Sequence, residues 1–359
     1  MPLHMTELSP FMQAARGLPA TRTPVWFMRQ AGRVLPEYRA LRDRWSLLEI
    51  CAQPDLCAEV ALQPVHRFGV DAAILFADIM LPLLGVGVQL DLVDEVGPVI
   101  RHPVESAADL EQLRPLEPES DVRMVLETVT ILKSELGARI PLIGFAGAPF
   151  TLAAYLIEGR PSRDFALTRS FMLAQPAVWH ELMQRLTRDM IAYLSAQLVR
   201  GVDVIQLFDS WVGCVSPDDY REFVAPYTRQ IFAALAHWNR PMIHFGTNTW
   251  ALLDDMKQDG ANIMSVDWRV PLDRAWARLG YTFGIQGNLD PAVLLAPREV
   301  IEARTTDVLR RADGRAGHIF NLGHGLLPKT TPDSVQCVID TVRQYAQADS
   351  EMRMLAPVS

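Results

Sequence analysis

"PLIGFAGAPFTLAAYLIEG" (residues 141–159) opens with seven apolar or small residues, Pro141 to Gly147, that show no polar alternation and are too few for a helix of ordinary length. Such a run suits a parallel strand covered on both faces. Seven further runs of the same kind lie along the chain: "PVWFM" (24–28), "DAAILF" (71–76), "DVIQLF" (203–208), "PMIHF" (241–245), "NIMSV" (262–266), "YTFGI" (281–285) and "HIFNLG" (318–323). Longer stretches with helical periodicity separate them, and "PAVWHELMQRLTRDMIAYLSAQLVRG" (176–201) ends at Gly201, where a helix cap belongs. Eight strand-and-helix alternations predict an α/β fold, a (β/α)8 TIM barrel. The segment "VGVQLDLVDEVGPVI" (86–100) alternates at period two around Asp94 and Gly97, which predicts a β-hairpin inserted in the second strand-to-helix connection. With no repeat, no low-complexity run and no Gly/Ser linker, a single barrel domain over 1–359, with its core at about 16–346, is the economical expectation.

The composition narrows the partners. A formal net charge of -8 in 359 residues argues against nucleic acid or an anionic membrane as the main partner, since both reward a broad basic face. Cys51, Cys57, Cys214 and Cys337 form no C-x-x-C pair, so neither a disulfide framework nor a zinc knuckle is expected, and a reducing cytoplasm is the simplest home. The N-terminal stretch carries Arg16 and Arg22 without an apolar core, which predicts no secretory signal. The most membrane-like run, "VDAAILFADIMLPLLGVGVQL", contains Asp71, Asp78 and Pro82, and each carboxylate at a helix centre costs about 3 kcal/mol in a bilayer. It reads as a buried strand and its connection.

In a (β/α)8 barrel the chemistry gathers at the C-terminal ends of the strands. The residues just past each predicted strand are "RQAGR", "ADI", "APFTLAAY", "DSWVG", "GTN", "DW", "GNLD" and "HGL". Glycine, carboxylate, histidine and arginine concentrate there, as expected of a polar mouth above an apolar barrel. The first of these belongs to a basic knot in an acidic protein: Arg29, Arg33, Arg39, Arg42 and Arg44 lie within sixteen residues. Such a knot calls for a small anionic target.

Two long motifs, "PVWFMRQAGRVLPEYR" and "GFAGAPFTLAAYLIEG", resemble those of the uroporphyrinogen decarboxylases, and "FADI", "QLFDSWVG", "GNLDP" and "FNLGHG" follow the same family in the same order. The resemblance runs from about Arg16 to the C-terminal helix. It implies a (β/α)8 barrel, a homodimer that needs no cofactor and no metal, and removal of the four acetate carboxyls of uroporphyrinogen III as carbon dioxide. The product it implies is coproporphyrinogen III, for haem and chlorophyll synthesis. A macrocycle bearing eight carboxylates is the kind of target the basic knot calls for. The planar fork of arginine gives a carboxylate two parallel hydrogen bonds, each worth roughly 1.5–3 kcal/mol when desolvated. The chain has 31 arginines and three lysines, so the choice of arginine says little and its position says more.

The resemblance implies substrate binding by Arg29, Arg33 and Arg42, and leaves Arg39 and Arg44 as solvated or paired helix charges. It places Asp78 at the centre of the macrocycle, accepting from the pyrrole N–H groups; a plain structural role would make it a helix N-cap at a strand exit. His324 is implied as a substrate contact, Tyr155 and Ser210 as hydroxyl donors to the acetate or propionate arms, Phe208 as apolar floor and Gln30 as a further donor. Arg29, Arg33, Asp78, Tyr155 and His324 are the expected catalytic set. Arginine is a poor acid, with a pKa above about 12, whereas the ordinary pKa of histidine suits proton transfer better. The loop "RPSRDF" (160–165) is expected to close over the substrate.

Two other readings compete. A corrinoid-linked, zinc-dependent methyltransferase has a similar barrel but shows His-x-Cys with a later cysteine; here His244 has no cysteine two residues on, and Cys337 lies well past the eighth strand. A non-catalytic tetrapyrrole carrier would keep arginines without needing an aspartate under the ring nitrogens, so Asp78 argues for an enzyme.

Overall fold

The computed structural model describes residues 8–93 and 96–355, with side chains to residue 347. Its strands are β1 (Ala73–Ile74), β2 (Leu90–Val93), β3 (Gly97–Ile100), β4 (Leu142–Gly147), β5 (Val204–Asp209), β6 (Met242–Gly246), β7 (Ile263–Ser265), β8 (Gly284–Leu289) and β9 (His318–Leu322). A parallel sheet runs β1-β4-β5-β6-β7-β8-β9, and β2 pairs with β3 as a separate antiparallel hairpin. That hairpin follows β1 as expected; Asp94, one of the two residues about which the sequence alternates, lies outside the described residues.

Strand alternation divides the side chains between the barrel interior and the surrounding helices. Phe208 of β5 stands opposite Phe245 of β6, Ser265 of β7 is the register partner of both Phe245 and Gln286 of β8, and Gln206 lies two residues before Phe208 on β5. Gln286 Nε2 donates to Gln206 Oε1 at 3.1 Å and to Ser265 Oγ at 2.9 Å, and its Oε1 accepts from Trp26 Nε1 at 3.0 Å. The middle of the barrel thus holds a neutral polar cluster, in which these bonds offset part of the desolvation penalty.

The predicted strand at 24–28 shrinks to a single bridge, Val25 to Phe320 of β9. Pro24 has no N–H to give to a ladder, and its carbonyl instead accepts from Phe320 N–H at 2.9 Å. On the other flank Asp71 N–H donates to the Val25 carbonyl at 2.9 Å, and Asp71 Oδ2 accepts from Val25 N–H at 2.8 Å. Arg22 grips both oxygens of that carboxylate, Nη1 lying 2.7 Å from Oδ2. The segment therefore fills the gap between β9 and β1 and closes the ring, with a side chain doing part of what backbone pairing does elsewhere.

One expected strand moves. The run at 281–285 starts as a turn, with Tyr281 at φ 57°, and β8 begins at Gly284. Its sequence GIQGNL has poor strand propensity, and packing overrides it: a Cβ on Gly284 would lie 2.9 Å from Ile263 Cγ1. The run at 71–76 forms β1 and then a loop, followed by a short helix, Leu81–Gly85; the long helix spans Pro176–Val199 just short of Gly201. Among the described residues no helix is long and apolar enough to cross a membrane.

Asp71→Ala is expected to lower stability by about 2 kcal/mol or more, because it strands a buried N–H and frees Arg22. Removing Asp91, whose pair with Arg101 is exposed on both sides, should change it by less than about 1 kcal/mol. Urea unfolding of the two variants beside the parent measures the contrast.

Candidate active site

The site begins with a turn. Gln30 N–H donates to the Phe27 carbonyl at 3.0 Å, closing residues 27–30, and Arg29 sits at its third position with φ 62°. Glycine or asparagine is usual at such a position, and an ordinary side chain there costs roughly 1–2 kcal/mol. The turn is held by its neighbours. Met28 N–H donates to Asn321 Oδ1 at 3.1 Å, and the Met28 carbonyl accepts from Leu326 N–H at 2.9 Å.

Gln30 is fully buried in that bracing. Its Oε1 accepts from Phe27 N–H and its Nε2 donates to the Ala72 carbonyl, each at 3.0 Å. Backbone groups thus hold both ends of this side chain, which joins the first turn to β1.

Asp78 lies in the loop after β1. Its Oδ1 accepts from Met80 N–H at 2.9 Å, a turn bond two residues along; the next helix starts at Leu81 with Met80 as its N-cap, so Asp78 is not the helix cap that a plain structural role would make it. Burial pushes its carboxyl above the ordinary carboxylate range, against the Met80 hydrogen bond and the positive charge of Arg29. Tyr155, on the helix Pro149–Glu158, is 9% exposed, and burial raises its phenol pKa; Asp78 and Arg29 both act on it. Arg29, Asp78 and Tyr155 thus share one space at the strand ends. Pro149 at the first turn and Gly159 at φ 72° set the limits of the Tyr155 helix.

His324 follows β9. Its Nδ1 accepts from Gly325 N–H at 2.7 Å, which places the ring proton on Nε2. Burial first, and Arg29 second, lower its pKa to about 4, so the ring is neutral near pH 7. Phe245 touches it edge-on at 6.0 Å, Phe208 meets Phe245 at 5.7 Å, and Phe145 meets Phe208 at 5.4 Å. These rings make an apolar wall across three strands. Of these rings the sequence reading singles out only Phe208, although period two in "GFAG" and "MIHF" is the signal that finds Phe145 and Phe245. Ser210 is half-buried one residue past β5, with its carbonyl accepting from Thr247 Oγ1 at 2.7 Å.

The other arginines lie on one side of the mouth. The helix Pro36–Arg42 buries Tyr38, whose hydroxyl accepts from Arg42 Nη1 at 3.3 Å; Arg33 also acts on that phenol. The Cys51 thiol, raised by its hydrogen bond to Cys57 and by burial, feels both Asp78 and Arg42. Arg39 and Arg44 are exposed, the first bonded to the Val34 carbonyl at 3.3 Å and the second stacked on Trp45 at 5.0 Å. In the loop 160–165, Phe165 is buried against Trp211 at 5.1 Å.

This arrangement has close relatives. The family model described as uroporphyrinogen decarboxylase matches residues 6–345. The uroporphyrinogen decarboxylase of Sorangium cellulosum is 52% identical over 338 residues, 94% of this chain and 97% of its own. That of Thermus thermophilus is 52% identical over 335 residues, covering 93% and 97%. The chain belongs to the uroporphyrinogen decarboxylase family. Among solved structures, a methyltransferase from Methanosarcina mazei superposes with a TM-score of 0.76 at 18% identity, covering 94% of this chain and 99% of its own. At that identity the likeness speaks for a shared barrel-like fold.

Within this decarboxylase barrel, the residues weighed for a methyltransferase zinc site stand apart. His244 alternates with Phe245 and so faces the helices, 3.8 Å from carboxylates of Asp209 and Asp259 and beside Phe232. Cys337, on the C-terminal helix, has its sulfur 4.0 Å from Glu302.

The His324 pKa fixes a sign. A histidine near 4 in the folded chain and near 6.5 in the unfolded one binds its proton first when unfolded. Its contribution to stability is complete above about pH 6.5 and is lost as pH falls towards 4. Nitrogen-15 NMR of the labelled protein should show His324 neutral, protonated on Nε2, down to about pH 5; a midpoint near 6.5 would contradict this environment.

Proposed function

We propose that this carboxy-lyase removes the four acetate carboxyls of uroporphyrinogen III to give coproporphyrinogen III, with Asp78 under the macrocycle and Arg29, Arg33 and Arg42 holding its carboxylate arms. The observation that carries the mechanism is the half-buried carboxyl of Asp78 at the mouth of the barrel, within the electrostatic reach of both Arg29 and Tyr155.

The chemistry follows from the substrate. Protonating a pyrrole carbon beside an acetate arm makes the ring cationic. The bond to the carboxylate then breaks, carbon dioxide leaves, and the electron pair enters the ring. A proton taken up by the exocyclic carbon makes the methyl group, and the ring gives back the first proton, so each round consumes one proton net. The pyrrole is its own electron sink, the task a cofactor performs in other decarboxylases. Asp78 alone in its pocket is penalised for being charged. A pyrrole cation above it reverses that penalty, and because this charge develops along the reaction, the interaction strengthens in the transition state.

The other groups bind and orient. His324, neutral and protonated on Nε2, donates to a substrate carboxylate or ring, whereas a histidine with a pKa of about 4 has no proton ready to give at neutral pH. Tyr155 and Ser210 donate hydroxyls to the arms, and Phe208 supplies apolar floor. The single catalytic domain, the homodimer and the cytoplasmic location belong to the same proposal. They rest on the family resemblance and on the four cysteines being free thiols.

Chelator-treated protein incubated anaerobically with uroporphyrinogen III should release four carboxyls stepwise, counted by chromatography and mass spectrometry after oxidation. Asp78→Asn should cut kcat by roughly 10²–10³-fold, as expected for loss of a preorganised charge partner. Binding of the macrocycle with all eight carboxylates retained in the parent protein would favour the carrier.

A further inference from the structure

We infer that Gly325 is a positioning residue for Arg29: by having no side chain it leaves the passage through which the Arg29 stem reaches the mouth. The inference rests on the reading of Arg29 as a substrate-binding group.

A Cβ built on Gly325 would lie 2.7 Å from Arg29 Cγ and 3.0 Å from Arg29 Nε, and closer still to Cδ. Real Cβ atoms do not approach other atoms that closely, so something must move. The backbone of Gly325 gives no reason for glycine, since its φ is not in the positive range. Space alone is the reason. Neither strip of chain can easily yield. Leu326 N–H is bonded to the Met28 carbonyl, Met28 N–H is bonded to Asn321 Oδ1, and Gly325 N–H is bonded to the His324 ring. These bonds flank Gly325 on one strip and Arg29 on the other. Arg29 itself is set at φ 62°, so its Cβ direction is fixed by the turn. Relief of the clash therefore falls on the Arg29 side chain, which must leave the rotamer that passes over Gly325. With it goes the charge that faces Asp78, Tyr155 and His324.

A double-mutant cycle tests this, because Arg29→Ala removes all three atoms that the new methyl would meet. Gly325→Ala alone is expected to lower kcat/KM for uroporphyrinogen III by about 10–100-fold, the scale of a displaced binding group. In the Arg29→Ala background the same change should alter kcat/KM less than about 2-fold, the two effects being non-additive. An unchanged kcat/KM in Gly325→Ala, or an equal loss in both backgrounds, overturns the proposal. If Gly325→Ala does not fold, the urea midpoint of the double variant decides: recovery on removing Arg29 supports the steric account, and continued failure overturns it. Arg29→Ala with parental kcat/KM would instead overturn the substrate-binding role of Arg29, and the positioning role with it.

Discussion

The barrel closes on one residue, Asp71, whose backbone N–H and carboxylate both bond Val25. Seven strands pair by backbone, whereas the segment at Pro24–Met28 has a single bridge to β9 and reaches β1 through Asp71, which bonds Val25 and is gripped by Arg22. A parallel sheet left open would expose unpaired edges on both sides of the gap. The turn bearing Arg29 hangs directly from this segment, so the position of Arg29, the first of the arginines proposed to bind substrate, depends on the closure. Gln30 and Asn321 extend the same bracing, one toward β1 and one from β9.

Charge is distributed around the mouth in a way that suits an anionic ring compound. Arg29, Arg33 and Arg42 stand on the side of the first connection, and a neutral aromatic wall of Phe145, Phe208 and Phe245 stands across the strands. His324 is kept uncharged by burial and by Arg29. Asp78 is the exception, a carboxyl raised by its surroundings where positive charge would be welcome. The same low dielectric that penalises it when alone strengthens its attraction to a cation formed above it.

Much of this is legible in the sequence. Short apolar runs locate the strands because parallel strands are buried on both faces and need no alternation, and the motifs after them mark the mouth. What escapes follows from interactions that are non-local. Nothing in "PVWFM" shows that Pro24 and an aspartate 47 positions on would replace a ladder. Gly287 and Asn288 of β8 read as part of the mouth because their packing, Gly287 against the Val266 carbonyl and Asn288 bonded to the Asp267 carbonyl, is set by a segment about twenty positions earlier. The bracing bonds of Gln30 are not legible either, because a side chain that braces a turn looks in sequence like any polar residue in a motif. Asp78 and His324 can be placed by motif, but their protonation comes from burial, which sequence does not display.

The distance along the chain between the two sides of the Arg29 pocket has a consequence for synthesis. Arg29 emerges from the ribosome early, and the residues that seat it, Asn321, Gly325 and Leu326, emerge almost three hundred residues later. A growing chain can form β1 through β8 and their helices, yet it holds no partner for the Pro24 carbonyl or the Trp26 N–H and no wall for the arginine until β9 follows. The mouth is therefore a late product of translation, and a chain stopped before β9 would carry its strands without a place to hold the macrocycle.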